Sequence, residues 1–266
     1  MSLEDIRKLF EKLELFPTLD SISILLPYTD DKPITSVFNS VVREKYKSCT
    51  SEFEGMNEYD YICLVSNFDI SEFKRKIDLF SQKELMFVQS IINNALNGIK
   101  ENELTNRIIP ILEEYKEIGT SEFVEETKIE NFFNKFDINE LYTLNIILDN
   151  NCDQSVKKYK EIFNKVLKEK ENKPNVRSQE YSLLNLLNKT DDLNNQELNL
   201  LYELVENASL YLSSVQDYSY AYKDVIEDFN INEYPVIAIY KLEEELSKKL
   251  ESMKDKNQNK RLIYKK

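Results

Sequence analysis

Carboxylates, lysines, tyrosines, serines and three cysteines carry whatever chemistry this chain has, because its 266 residues include no histidine. That gap removes the Ser-His-Asp triad, the Cys-His pair and every histidine-ligated metal site. Adjacent acids stand at Glu113-Glu114, Glu125-Glu126, Asp191-Asp192 and Glu243-Glu244-Glu245. Oxygen ligands of this kind suit Mg²⁺, yet neighbours on a helix point about 100° apart, so each pair reads as a solvated helix face. Glu114-Tyr115-Lys116 has the letters of a nuclease acid-x-Lys element, which needs adjoining strands, and it lies in a helical pattern. Cys49 follows Arg43, Lys45 and Lys47, cations that favour a thiolate. No base accompanies it, and a helix C-terminus opposes the anion, so Cys49 reads as a buried or incidental side chain. Cys63, within an apolar run, reads as core. The sequence therefore nominates no catalytic residue, no metal ligand and no cofactor.

Two features nominate contact residues instead. In Tyr218-Ser219-Tyr220-Ala221-Tyr222 the outer tyrosines share one helix face, while Tyr220 is about 200° from Tyr218. Tyr220 is therefore expected at the surface, as a candidate partner anchor or as a lone exposed ring. From Lys254 to Lys266 six basic residues face a single acid, Asp255, giving this stretch +5 and leaving −18 on the rest. Lys260, Arg261, Lys265 and Lys266 are the candidate contacts to nucleic acid or to an acidic groove.

The elements that position these residues are helical. Three glycines in the whole chain leave no phosphate-cradling loop and few tight turns. An apolar content of 41% with 11% aromatics builds a core despite 31% charged residues. Net −13 opposes broad binding to nucleic acid or anionic membrane. Cys49, Cys63 and Cys152 are odd in number and widely spaced, as expected in a reducing, cytoplasmic setting. No apolar run approaches a membrane span.

Leu3, Ile6, Leu9, Phe10, Leu13 and Phe16 follow a helical spacing, with Ser2 as N-cap and Pro17 as stop. Residues 21–26 and 59–65 read as strands flanking a helix from Pro33 to about Ser48; the alternative is two buried extended connectors or helix ends. Beyond Asp69 a pattern recurs: Ser81-Gln-Lys-Glu84-Leu85, Asp137-Ile-Asn-Glu140-Leu141 and Asn194-Asn-Gln-Glu197-Leu198, spaced by 56 and 57 residues. A polar residue three places before Glu is a capping box. The apolar positions after it trace one buried face: Leu85, Val88, Ile91 and Ile92; Leu141, Leu144, Ile147 and Leu148; Leu198, Leu201, Leu204 and Val205. Weaker echoes flank each helix. Pro110 is expected to kink one helix, and Gly119 to close it.

The expected fold is mainly α: tandem helical modules of about 56 residues stacked as an irregular array, after a small N-terminal α/β or extended segment. The expected divisions are 1–68, then modules at about 69–119, 120–175 and 176–234, a capping helix at 235–253 and a basic flexible tail at 254–266. The function expected of such a chain is non-enzymatic: a cytosolic protein-binding or regulatory protein whose acidic surface recognises another macromolecule, a basic protein among the options, as an inhibitor or neutralising partner does. The alternatives are a carboxylate-ligated, metal-dependent enzyme with acids converging from distant helices, and a nucleic-acid-associated protein acting through its basic tail. No membrane partner is expected.

Overall fold

Ser2 starts the first helix through a reciprocal cap, its Oγ accepting the Asp5 amide while the Asp5 carboxylate takes the Ser2 amide. The computed structural model describes residues 1–29, 31–47, 65–102, 105–151, 154–172, 183–215 and 235–263. The helices are α1 (Leu3–Lys12), α2 (Asp20–Leu25), α3 (Lys32–Lys47), α4 (Glu72–Arg75), α5 (Gln82–Gly98) and α6 (Ile108–Tyr115). They continue with α7 (Ser121–Asn134), α8 (Ile138–Asp149), α9 (Gln154–Glu171), α10 (Leu183–Lys189), α11 (Asn195–Val215) and α12 (Pro235–Ile263). Among the described residues there is no strand, and no helix is long and apolar enough to cross a membrane.

The chain divides into two units, Met1–Asn131 and Phe132–Lys266, the division falling inside α7. In the first, α1 packs on α3, and α5 on α2 and α6. Phe10 meets Phe38 edge-on at 5.2 Å between ring centres, and Phe73 meets Phe80 at 5.3 Å. Side chains from both sides of position 68, Leu9 and Phe38 with Phe73 and Leu112, bury in this one core. In the second unit Phe133 packs on Phe132 and edge-on against Phe163. Helix α11 lies against α8 and α12, and α8 against α9.

The strand expected at 21–26 is instead helix α2, followed by a short 3-10 turn over Leu26–Tyr28. Alternation misled because its polar members do not face water. Ser21 is 2% exposed, and its Oγ accepts the Asp69 amide at 2.9 Å. Ser23 donates to the Asp20 carbonyl within the helix. With Ser21 satisfied by a distant amide and Ser23 by its own helix, both sit inside a helix that is buried almost all round. Of the second expected strand, residues 59–64 lie outside the described residues, and Val65 is helical.

Helix α1 stops at Lys12, before the cis Phe16–Pro17 peptide, and Phe16 is 58% exposed rather than on the buried stripe. Pro110 occupies the first turn of α6, where its missing amide costs little, so it kinks nothing. Helix α12 runs ten residues past its expected end at Met253.

Candidate functional site

The contact residues nominated by sequence fall at or beyond the edge of what is described. Tyr220, Lys265 and Lys266 lie outside the described residues, as do Cys49, Cys63 and Cys152. Lys260 and Arg261 belong to the last turn of α12, with their side chains outside the description. The cations before Cys49 do not act together. Lys45 donates to the carbonyls of Glu11 (2.9 Å) and Leu13 (2.7 Å), satisfying the open C-terminal end of α1, whereas Arg43 is exposed on another side of α3.

Several of the acid pairs are held by neighbouring lysines rather than turned toward a common ion. Glu113 pairs with Lys116 at 3.0 Å, Glu114 with Lys74, Asp191 with Lys249, Asp192 with Lys189 at 2.9 Å, and Glu244 and Glu245 with Lys248. Among the described residues no group of three or more carboxylates or cysteines is placed to hold a metal.

All three expected capping boxes form. Ser81, Asp137 and Asn194 each pair with the amide three residues on, and Glu84, Glu140 and Glu197 each reach back to the cap amide at 2.7, 2.7 and 2.9 Å. The residue before each cap, Phe80, Phe136 or Leu193, is buried, as is the leucine after each glutamate. This is the residue pairing of a hydrophobic staple. A lysine from elsewhere in the same unit grips each of these turns. Lys12 donates to the Leu79 carbonyl (3.2 Å) and Glu84 (2.7 Å). Lys170 donates to the carbonyls of Asn134 and Phe136, and Lys249 to Thr190 and Asp191.

The cap glutamates nevertheless differ electrically. Burial pushes Glu84 up, but the hydrogen bonds from Lys12 and Ser81 outweigh it and hold the carboxyl below its ordinary 4.5. Burial dominates at Glu140 and raises it, the Asp137 amide opposing and the Asp137 charge adding.

Two surfaces of the first unit stand out. On α6, α7 and the turn between them, seven acids face two lysines over residues 113–130. Glu113, Glu114, Glu117, Glu122 and Glu125 are exposed. Buried Tyr115 beneath has its hydroxyl pushed well above its usual range, first by burial and then by the charges of Glu114, Asp69 and Glu130. Gln82 and Gln89 of α5 fix this turn by donating to the carbonyls of Gly119 and Lys116.

The second surface is a cleft of about 670 Å³ along the outer side of α3, lined by Lys32, Thr35, Ser36, Asn39, Ser40, Arg43 and Glu44. Glu44 is the acid of this lining, and it is taken: Arg7 Nη2 lies 2.5 Å from one oxygen, and Ser40 Oγ donates to the other at 3.1 Å. Lys32 and Arg43 have no ion-pair partner among the described residues.

No family model, characterised protein or solved structure matches this chain. Its function is therefore argued from its own residues. The lysines at 12, 170 and 249 and the polar stripe of α3 were missed from sequence. The stripe's spacing was readable there, but a polar helix face is ordinary until its partners are known.

Proposed function

We propose that this chain is a non-enzymatic, cytosolic protein-binding or regulatory protein whose acidic surface engages a basic protein partner. The observation that carries this reading is the acidic face of α6 and α7. Its exposed carboxylates are anchored on a turn held by Gln82 and Gln89, and the field around them reaches the hydroxyl of Tyr115. Such a surface attracts a positively charged partner and speeds encounter with it. The three capped helices at 82–98, 138–149 and 195–215, alike in cap, staple residues and lysine grip, support the further reading that they are copies of one helical module. Widely spaced, odd-numbered cysteines support the cytosolic assignment.

Affinity capture with the tagged full chain from its source cells, at low and at physiological salt, tests this. One basic protein recovered in stoichiometric amount, and released by salt, is the expected result. Recovery of nucleic acid without protein, or of no stoichiometric partner at either salt, overturns it.

A further inference from the structure

We propose that the α3 cleft binds an extended acidic peptide segment carrying two carboxylates four residues apart, on one face of the strand. The cleft uses other residues than the acidic α6–α7 face, so this site stands independently of that reading.

Its charge comes first. Lys32 and Arg43 are exposed cations without an ion-pair partner among the described residues, in a protein of net −13. The acid beside them, Glu44, is ion-paired with Arg7, which also pairs with Glu11, and accepts a hydrogen bond from Ser40. Among the described residues the lining thus offers an anion two unpaired cations beside one carboxylate that is already held in an ion pair.

The spacing comes next. Helical periodicity puts Lys32, Ser36, Asn39 and Arg43 within about 60° of one another around α3. Eleven residues separate the two cations, or about 16 Å along the axis at 1.5 Å per residue. An extended chain rises about 3.3 Å per residue and turns every second side chain to the same face. Carboxylates at the first and fifth positions of a strand-like peptide, about 13 Å apart, therefore both face α3, within reach of the long, exposed Lys32 and Arg43 side chains. Ser36 and Asn39, between the cations, supply hydrogen-bonding groups for its backbone.

Other occupants fit less well. Small-molecule pockets are lined mainly by apolar and aromatic side chains, and every residue lining this cleft is polar or charged. Single-stranded nucleic acid uses aromatic platforms, and among the described residues the lining has no aromatic ring.

The test is fluorescence anisotropy with a labelled pentapeptide bearing glutamate at both ends and alanine and serine between. Its glutamine-ended analogue and hexathymidylate are the comparison probes. The full chain is expected to bind the glutamate peptide, and to bind the glutamine analogue about tenfold or more weakly. Lys32→Glu and Arg43→Glu should each weaken peptide binding by about tenfold, Arg43→Lys should largely preserve it, and circular dichroism should show all three folded. A variant reversed at Glu117 and Glu125 should bind the peptide as the native chain does, which separates this site from the acidic face. Peptide binding indifferent to Lys32→Glu and Arg43→Glu, no peptide binding up to millimolar concentration, or tighter binding of hexathymidylate with the same sensitivity to both variants, each overturns the proposal.

Discussion

Replacing Ser81, Asp137 and Asn194 by alanine removes the same device from three helices, and the geometry ranks the costs. Ser81 Oγ meets the Glu84 amide at 3.4 Å, a weak bond, and donates to the Glu84 carboxylate at 2.9 Å, so its loss is expected to cost about 0.5–1 kcal/mol, the low side of the range for an N-cap. Asn194 Oδ1 accepts two amides, from Gln196 at 2.9 Å and Glu197 at 3.0 Å, and its loss should cost about 1–1.5 kcal/mol. Asp137 accepts the Glu140 amide at 2.8 Å and adds a negative charge at a helix N-terminus, for about 1.5 kcal/mol in all. At about 3 °C per kcal/mol, thermal unfolding should shift by about 2–3 °C for Ser81→Ala and about 4 °C for the other two. Amide exchange at residues 84, 140 and 197 should accelerate only in the helix altered. Asp137→Asn should recover most of the loss, keeping the acceptor while giving up the charge. A Ser81→Ala cost exceeding the other two, or exchange spread evenly over the chain, would refute the reasoning.

The cap glutamates should titrate in opposite directions, read by ¹³C NMR of their carboxyl carbons: Glu84 below 4.5 and Glu140 above it. By linkage, the contribution of Glu84 is complete above about pH 4.5 and fades as pH falls through its lowered folded value. Glu140, raised in the fold, favours the folded state when protonated, and that contribution is lost as pH rises through its folded value; matching titrations at the two sites would contradict this. Glu72, whose side chain is fully buried, accepts the Glu14 amide and Lys76 at 2.9 Å. Glu72→Ala should cost about 2–3 kcal/mol in chemical denaturation, since Lys76 keeps Glu14, and Glu72→Gln about 1. A Cβ at Gly119 would stand 2.7 Å from Met86 Cα, so Gly119→Ala should destabilise by about 1–3 kcal/mol, and an unchanged melting temperature would count against that close approach.

How much was legible follows from which signals are local. Capping boxes involve residues three apart, so Ser2, Ser81, Asp137 and Asn194 were found from sequence, along with the buried faces behind them. Ser21 was misread because alternation reports which side meets water, and here both sides are covered. Phe16 was misplaced because the pattern continues smoothly past the point where α1 ends. The lysine grips were out of reach: Lys12 and Leu79 are 67 positions apart, and nothing in either neighbourhood names the other. The α3 stripe was visible as spacing, but its significance lies in Arg7 occupying Glu44, another long-range pairing.

The claim that the acidic α6–α7 face recruits a protein is tested most directly by repeating affinity capture with Glu117→Lys/Glu125→Lys beside the native chain at physiological salt. Neither side chain forms an ion pair among the described residues, so reversing both changes the field without breaking an internal bridge. Recovery of the basic partner is predicted to fall by about tenfold or more, with an unchanged melting temperature. Equal recovery by both proteins would contradict the account.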